Sequence, residues 1–353
     1  ADDGKHLYFK KLESFASPID FATVKDMPGL TEMEFLKNMN GSLFKITKEE
    51  SELLMDIIRA ENPCQKSKEL TPYTKNDFLS EVFMDEETYD RMRALLEDKK
   101  NIILQGGPGV GKTYTAKRLA YSILGNKDED KMEMVQFHQS YSYEDFVMGY
   151  KPNENGGFDL QRGIFYKFCA KAKSDPNHKY FFIIDEINRG NLSKIFGELL
   201  MLIENGYRGE EITLAYNQEL FSVPKNLYII GMMNTADRSL AMIDYALRRR
   251  FSFVEMKPGF ATDGFRNYQE RLSSDIFDQV IAGIVQLNQV IANDDSLGDG
   301  FCIGHSYFCN QEKISREWLK NVIEFDIIPM LREYWFDDKN KCQQEIENLK
   351  SCL

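Results

Sequence analysis

Short apolar runs alternate along this chain with longer stretches in which apolar residues recur at helical spacing. The short runs are too brief for helices, so they predict buried strands. These strands are expected at residues 101–105, 133–137, 180–184 and 227–233. Helical spacing follows two of the runs, at residues 114–124 and 192–204. The alternation predicts an α/β fold, in which helices cover a parallel sheet.

Further elements are predicted around this alternation. Helices are expected at residues 47–60 and 85–99, ahead of the first strand. One hairpin is expected to pair residues 212–216 with residues 219–223. Another is expected to include residues 158–166, after a pair of glycines at its turn.

The pattern changes after residue 257, where strand signals stop and only helical spacing remains. Helices are expected at residues 266–272, 274–292 and 316–335. A compact motif, GHSYF, occupies residues 304–308 between the last two of them. His305 within it is expected to be a structural hydrogen-bonding group rather than a catalyst. The chain is therefore predicted to end in a small helical domain.

The first predicted strand runs into a glycine-rich turn that a predicted helix follows. Gly106, Gly111, Lys112 and Thr113 match the spacing G-x-x-x-x-G-K-[ST]. Such a turn points successive backbone N–H groups at phosphate, while the helix offers its positive N-terminus. Lys112 is expected to reach the β- and γ-phosphates, and the Thr113 hydroxyl to bind Mg²⁺. The nucleotide-binding set is Gly106, Gly107, Pro108, Gly109, Val110, Gly111, Lys112, Thr113 and Tyr114.

Two carboxylates end the third predicted strand, which reads YFFII. Asp185 is expected to hold Mg²⁺, and Glu186 to orient or deprotonate the attacking water. A strand that ends in Asp-Glu is a weak signal by itself, but its position after a full phosphate loop makes the signal strong. The pair predicts hydrolysis of a nucleoside triphosphate.

Polar residues also follow the fourth predicted strand. Asn234 ends this strand, where its side chain can hydrogen-bond the attacking water or the γ-phosphate. Arg248, Arg249 and Arg250 lie at the far end of the next helix, where they can act on a neighbouring subunit's nucleotide as arginine fingers. The alternative for the triplet is a helix C-terminus that favours cations.

These motifs divide the chain into three predicted parts. They are an N-terminal segment and linker (residues 1–71), an α/β nucleotide-binding core (72–256) and a helical lid domain (257–353). The helical domain is expected to close over the nucleotide. Because the chain begins with Ala1 rather than Met, we expect it to be a fragment of a longer protein.

Composition narrows the possible partners and the compartment. The net charge of -12 argues against a surface that attracts nucleic acid everywhere, so any DNA contact is expected to be local or made by a partner. The six cysteines form no CxxC pair and no metal-ligand spacing with the histidines, as is typical of reduced thiols in a cytosolic protein. No apolar run approaches the length of a membrane span. We therefore expect a cytoplasmic protein without membrane contact.

Aromatic and basic residues alternate in and around the hairpin predicted to include residues 158–166. They are Tyr141, Tyr143, Tyr150, Lys151, Arg162 and Lys167. A loop of this kind can face a pore and touch a DNA strand or a peptide. The alternative is a solvated hairpin that binds nothing.

The order of these features, from phosphate loop to helical lid, resembles that of AAA+ NTPases. Three segments narrow the resemblance to the McrB family, the motor subunit of modification-dependent restriction systems. They read FHQSYSYEDFVMGY (137–150), DEINRGNLSKIFGELLMLIE (185–204) and MNTADRSLAMIDYALRRRF (233–251). GHSYF (304–308) and IIPMLREYWFD (327–337) are similar to that family's lid. The resemblance covers residues 72–340.

The resemblance implies a ring-forming, hexameric motor that hydrolyses GTP with Mg²⁺. It also implies a McrC-type endonuclease subunit as partner, which stimulates hydrolysis and cuts DNA. By matching motif, Asn234 and Asp237 would position or polarise the attacking water. Arg248 and Arg249 would complete sites between subunits. DNA would be contacted through the complex or through an upstream domain.

Three departures limit this resemblance. The family's loop commonly reads GPPGVGKT, whereas position 107 here is glycine. The family's N-terminal DNA-reading domain is not recognisable in residues 1–70. No N-K-x-D motif for guanine is present, since the string NKDE at residues 126–129 lacks its final Asp. The preference for GTP thus rests on the resemblance, and ATP is the alternative.

Two other functions share this core. A MoxR-like chaperone ATPase would remodel protein complexes and would have a protein client in place of a nuclease. A nucleotide-gated scaffold would assemble a ring and hydrolyse almost nothing. The presence of Asp185, Glu186 and Asn234 argues against the scaffold.

Overall fold

The computed structural model describes residues 19, 24–25, 27–37, 44–61, 70–153, 156–236 and 245–353. The chain divides into two compact units, Ala1–Glu69 and Leu70–Leu353. The first unit contains helices α1 (Glu34–Lys37) and α2 (Lys48–Glu61) and a small apolar cluster around Leu30. Thr47 and Glu50 form a capping box at the start of α2, because each side chain accepts the other residue's backbone N–H.

Nine strands lie among the described residues of the second unit. They are β1 (Asn101–Gly106), β2 (Met132–Gln136), β3 (Met148–Pro152), β4 (Phe158–Arg162), β5 (Tyr180–Asp185), β6 (Ile212–Thr213), β7 (Leu220–Phe221), β8 (Leu227–Asn234) and β9 (Ser252–Glu255). Five of them form a parallel sheet in the order β2-β5-β8-β1-β9. The other four form two antiparallel hairpins, β3-β4 and β6-β7. The predicted α/β class with a parallel sheet is confirmed.

The sheet is buried on both faces, which explains why its central strands are almost continuously apolar. Side chains alternate between two clusters along each strand. Ile103 and Phe182 belong to the cluster on one face. Ile102 and Phe181 belong to the cluster on the other. Helices pack over both faces and fix the sheet between them.

Thirteen helices accompany these strands among the described residues. They are α3 (Lys75–Glu81), α4 (Glu86–Lys99), α5 (Lys112–Leu124), α6 (Tyr143–Phe146), α7 (Ile164–Ser174), α8 (Leu192–Phe196), α9 (Leu199–Leu202), α10 (Tyr245–Arg248), α11 (Asp263–Leu272), α12 (Asp275–Ala292), α13 (Arg316–Asn321), α14 (Ile328–Tyr334) and α15 (Lys339–Lys350). The last five pack around a separate apolar cluster that includes Ile284, Leu331 and Trp335. This cluster confirms the predicted helical lid.

Four predicted elements differ from the observed ones. The hairpin expected to pair residues 212–216 with residues 219–223 is reduced to the two-residue strands β6 and β7. The helix expected at residues 192–204 is broken into α8 and α9 at Gly197, whose φ is 50°. The hairpin arm expected to reach Tyr166 ends at Arg162, because Gly163 is the N-cap of helix α7, which begins at Ile164. The helix expected at residues 316–335 contains a π-helical turn (Val322–Ile327) just ahead of Pro329, which has no N–H for the helical ladder. Elements α1, α3, α6, α7, β9 and α15 were not predicted.

Candidate functional site

Three neighbouring strands of the sheet end at the same edge. Gly106 of β1 lies beside Asn234 of β8 in register, and β8 lies beside β5, with Ile184 next to Gly231. The backbone N–H of Thr235 donates to the Gly106 carbonyl at 3.2 Å. The phosphate loop, Asn234 and Asp185, which ends β5, are therefore brought together, as their positions after predicted strands suggested.

The phosphate loop has the backbone shape that an anion needs. Gly109 and Gly111 have φ values of 74° and 80°, in the left-handed region that glycine adopts without strain. Helix α5 begins directly after Gly111, and no side chain caps its first N–H groups. Those donors and the positive end of the helix therefore suit phosphate oxygens.

Lys112 is the central cation of the loop. Its Nζ donates to the carbonyl oxygens of Gly106 and Gly107, at 2.9 and 2.8 Å. Burial lowers the pKa of Lys112 to about 8, against the attraction of the Glu186 and Asp185 carboxylates, which raise it. The ammonium group is thus held between the loop and the acidic end of β5.

The acidic pair is shaped by burial and by an unusual backbone. Burial raises the pKa of Asp185, while a hydrogen bond from the Glu186 N–H, 3.0 Å long, opposes the rise. Glu186 has a φ of 49°, a left-handed conformation that costs a non-glycine residue about 1 kcal/mol or more. Arg189 Nε lies 3.2 Å from Glu186 Oε2, yet this buried oxygen has no hydrogen bond of good geometry. The Glu186 carboxylate is therefore close to Arg189, but its hydrogen-bonding capacity is not filled.

Asn234 and the arginines occupy different surroundings. Asn234 Oδ1 accepts the Ala236 N–H at 3.3 Å, which orients its amide at the end of β8. Asp237 lies outside the described residues. Both Arg248 and Arg249 are exposed at the end of α10, where they can meet another subunit.

Arg250 does not share this exposure. Its side chain is only 7% exposed, and Nη2 lies 2.9 Å from Glu204 Oε1. Arg249 reaches the same oxygen at 3.3 Å, but its side chain is 69% exposed. Arg250 is therefore a buried structural residue, and the expectation that it can reach a neighbouring subunit's nucleotide is wrong for this member of the triplet.

One segment of the lid lies directly on the phosphate loop. Residues 300–308, here called the lid strap, donate two backbone hydrogen bonds to outward-facing loop carbonyls. Gly304 N–H reaches the Pro108 oxygen and Ser306 N–H the Gly109 oxygen, both at 2.9 Å. At the end of β8, the Thr235 hydroxyl donates to the Gly300 carbonyl at 2.7 Å. Both ends of the candidate site are thus bonded to the lid.

The strap approaches so closely that side chains do not fit between it and the loop. A Cβ at Gly107 would lie 2.4 Å from the Cys302 carbonyl oxygen. A Cβ at Gly304 would lie 1.9 Å from the carbonyl carbon of Gly109. The glycine at position 107, which departs from the family's usual loop, therefore matches a close approach of the lid in this chain.

A cavity of about 800 Å³ opens beside the loop, between the ends of α3 and α5, helix α11 and the strap. Val82, Phe83, Tyr114, Tyr268 and His305 are among the residues that line it. Tyr114 belongs to the nucleotide-binding set expected from the sequence, and His305 belongs to GHSYF. No local motif marks Val82, Phe83 or Tyr268, so the sequence missed this part of the cavity. Its position and size suit the base and sugar of a nucleotide whose phosphates lie in the loop.

Two basic side chains of the aromatic and basic hairpin form ion pairs with neighbouring carboxylates. Lys151 pairs with Asp145 at 2.9 Å, and Arg162 pairs with Glu219 at 3.2 Å. Tyr150 remains 55% exposed. These pairs favour the solvated hairpin over a DNA-binding loop.

Two negative observations apply to the part of the chain that the structure describes. No group of three or more His, Cys, Asp or Glu side chains is arranged to bind a metal ion by itself. None of the helices combines the length and the apolar character needed to cross a membrane.

Family models match two parts of the chain. Residues 101–251 match the AAA domain of the dynein-related subfamily. Residues 279–343 match the alpha-helical lid domain of McrB. Together they include the phosphate loop, the acidic strand, the arginine triplet and the lid strap.

The chain is also similar to proteins of restriction and replication systems. It is 51% identical, over 77% of its length and 62% of that protein's, to the EcoKMcrB subunit of a type IV methyl-directed restriction enzyme from Escherichia coli K12. It is 27% identical to the BsuMI type II restriction enzyme component YdiS of Bacillus subtilis 168, over 50% of this chain and 63% of that one. Yeast (Saccharomyces cerevisiae) replication factor C subunit 4 is 28% identical over 30% of this chain and 29% of its own length.

The chain thus spans less than two thirds of the curated relatives it matches. The AAA and lid models match in the order in which the structure places the parallel sheet and the helical cluster. The identity to the E. coli subunit extends well beyond the phosphate loop. On these grounds the chain belongs to the McrB family of AAA+ proteins.

Proposed function

We propose that this chain is a Mg²⁺-dependent nucleoside triphosphatase that acts as the motor of a DNA restriction complex. The observation that carries the proposal is the common edge at which β1, β8 and β5 end. The proposal is supported because the phosphate loop, Asn234 and the Asp185-Glu186 pair lie at the ends of these neighbouring strands. Hydrolysis would be in-line attack of water on the γ-phosphate, accelerated mainly by positioning and charge neutralisation.

The metal would be held by Thr113 and Asp185 together with phosphate oxygens. Mg²⁺ is usually bound in this way, by one or two protein oxygens plus substrate. The fit is supported by the raised pKa of Asp185, because a buried carboxylate gains from a nearby cation. When bound, Mg²⁺ neutralises charge on the β- and γ-phosphate oxygens.

Glu186 and Asn234 are the residues proposed to act on the attacking water. Glu186 Oε2 is buried without a well-formed hydrogen bond and can accept one from water. Asn234 would hold the water or a γ-phosphate oxygen from the neighbouring strand. We add Asp237 to this group by resemblance only.

The ring and its partners belong to the same proposal. We propose a homohexamer in which Arg248 and Arg249 complete the site of the next subunit, supported by their exposure at the end of α10. A McrC-type endonuclease would stimulate hydrolysis and cut DNA in the cytoplasm. DNA would be reached through the complex, since the net charge of -12 does not favour a broad DNA-binding surface.

Domain boundaries and nucleotide choice are proposed on the same basis. A core at residues 72–256 and a lid at residues 257–353 are supported by the separate apolar cluster that includes Phe260 and Leu349. An N-terminal segment and linker would occupy residues 1–71. GTP is the proposed substrate because of the family relationship, and ATP is the competing one.

The test is phosphate release from GTP and from ATP, with and without a McrC-type subunit. We expect GTP turnover that rises several-fold or more when the nuclease is added. If ATP is hydrolysed at a rate that does not change when the nuclease is added, the NTPase site would be supported but the function would be that of a remodelling chaperone. If nucleotide binds tightly but is not hydrolysed under any of these conditions, the function would be that of a nucleotide-gated scaffold.

A further inference from the structure

His305 sits where the lid, the core-to-lid junction and the phosphate loop meet. Its ring is 9% exposed and packs edge-on against Phe83 and Phe265, with centroids 5.3 and 6.4 Å away. It belongs to the lid strap, which is bonded to the loop through Gly304 and Ser306. The ring is therefore held in one orientation by packing on one side and by backbone bonds on the other.

The protonation of the ring follows from its hydrogen bond. Nδ1 lies 2.8 Å from the backbone nitrogen of Gly259, and a backbone N–H can only donate. Nδ1 must therefore accept, and a neutral ring then carries its proton on Nε2. Burial lowers the pKa of His305 to about 4, which keeps the ring neutral near pH 7. His305 thus presents an N–H donor at Nε2.

This donor lies beside the start of helix α5. Nε2 is 3.6 Å from the position that a Cβ would take at Gly111, the residue that caps α5. Gly111 and His305 line the same cavity, together with Tyr114 and Thr115. A neutral donor here adds to the N–H groups of the helix terminus without adding a charge that must be desolvated.

We propose that His305 is a nucleotide-binding residue of the lid, whose Nε2–H donates to a phosphate oxygen next to the N-terminus of α5. This proposal rests on the nucleotide binding proposed above. Because the same ring accepts from Gly259 at the core-to-lid junction, bound phosphate and lid orientation are coupled through one side chain. Binding would therefore fix the lid as well as the substrate.

Two substitutions distinguish the roles of the two ring nitrogens. His305→Asn keeps an acceptor near the Nδ1 position for Gly259 but does not reach the Nε2 position. His305→Gln places an amide donor near the Nε2 position. The full chain of each variant is titrated calorimetrically with a non-hydrolysable GTP analogue, and its unfolding temperature without nucleotide is recorded as the measure of structural damage.

We expect His305→Asn to unfold within a few degrees of the parent and to bind the analogue about 10-fold more weakly. His305→Gln should bind within about threefold of the parent, because a donor is restored. A folded Asn variant that binds like the parent would overturn the proposal. Equal losses in both variants, each with an intact unfolding transition, would do the same.

A measurement on the parent chain keeps the proposal testable if both variants fail to fold. Histidine-selective ¹⁵N labelling gives ring signals from only four histidines. We expect one Nε2–H signal that is protected from exchange and shifts when the analogue is added. A signal assigned to His305 that does not move would refute the contact.

The proposed function has its own control in these experiments. The parent must bind the analogue, and Lys112→Ala must not, for the phosphate loop to be the binding site. Failure of that pair would remove the proposed function. Success of the pair with no effect at His305 would remove only the inference about His305.

Discussion

Glu186 combines two costs that the fold tolerates at the candidate site. Its backbone has a φ of 49°, and one oxygen of its carboxylate is buried without a well-formed hydrogen bond. For a residue with only a packing role, removing the backbone strain or pairing the buried oxygen would stabilise the protein. Strain and unsaturated polar atoms that persist together are characteristic of positions that act on substrate.

Replacing Glu186 should therefore separate binding from turnover. We expect Glu186→Gln to keep its affinity for GTP within about threefold, because the side chain keeps its size. Its rate of phosphate release should fall by about 100-fold or more, because an amide is not a base. Calorimetry and a phosphate-release assay measure the two quantities. Turnover equal to the parent's would contradict the assigned role.

Arg249 and Arg250 are adjacent and share Glu204, yet they should behave in opposite ways. We expect Arg250→Ala to lower the free energy of unfolding by about 2 kcal/mol, because it leaves a half-buried ion pair broken. Arg249→Ala should change stability by less than about 0.5 kcal/mol, since its side chain is largely exposed.

Denaturant titration of both arginine variants is the measurement, with GTP hydrolysis by assembled protein as the second readout. The exposed Arg249 should affect hydrolysis by about 1,000-fold if it is a finger. Equal stability losses in the two variants would show that the difference in burial is not real.

The buried imidazole of His305 makes stability depend on pH. Its pKa is lowered from 6.5 to about 4 by burial, so between these values the unfolded chain binds a proton that the folded chain does not. Stability is therefore lost as pH falls from 6.5 towards 4, by about 2 kcal/mol between pH 7 and pH 5.

His305→Gln removes this titration while other groups stay the same. We expect the stability difference between parent and variant to shrink, or change in the variant's favour, by about 2 kcal/mol when the pH is lowered from 7 to 5. Denaturant unfolding at both values tests this. A difference that is independent of pH would mean that the ring titrates normally in the folded state.

Between the lid strap and the phosphate loop, two elements are in contact along their backbones. Gly304 donates to Pro108, and the space for any side chain at Gly304 is already filled by Gly109. Contacts of this kind leave no room for adjustment by rotamers. Any side chain at Gly304 must push the strap and loop apart.

We therefore expect Gly304→Ala to destabilise the protein by about 2 kcal/mol and to weaken nucleotide binding. Gly206→Ala is the matched control, since a Cβ at Gly206 meets nothing within 4 Å. It should change stability by less than about 0.5 kcal/mol. Thermal unfolding and calorimetry with GTP analogue compare the two. If both variants match the parent, the strap does not pack as described.

At the scale of the whole molecule, the site is expected to be incomplete within one chain. The strand edge supplies Asp185, Glu186 and Asn234, while the arginines proposed as fingers are exposed at the end of α10. A ring places one subunit's exposed surface against the site of the next, because its contacts are head-to-tail. Activity should therefore depend on assembly.

Mixing two inactive variants tests this dependence directly. Glu186→Gln keeps its arginine, and Arg249→Ala keeps its carboxylate, so a mixed ring contains some interfaces that have both. Random mixing should restore about a quarter of parent GTP hydrolysis if the arginine acts between subunits. No recovery in rings of confirmed parental size would place the arginine's action within its own subunit or outside catalysis.

The sequence by itself determined the features whose signals are local. The buried strands, the phosphate loop and the acidic pair each depend on a few consecutive residues, and the strands at 101–105 and 180–184 were found within one residue of their observed bounds. Burial on both faces makes such strands continuously apolar, so composition alone reveals them. The order of the motifs was enough to indicate an AAA+ core and a McrB-type lid.

Only the tertiary structure decided what depends on contacts between distant parts of the chain. It placed the unpredicted strand β9 at the edge of the sheet, where a half-exposed sequence shows no strong pattern. It buried Arg250 against Glu204 while leaving the identical side chain of Arg249 exposed. It also laid Gly304 on Gly109 and His305 beside Gly111. Backbone contacts across such distances leave little trace in sequence beyond an isolated glycine, because the groups that meet are common to every residue.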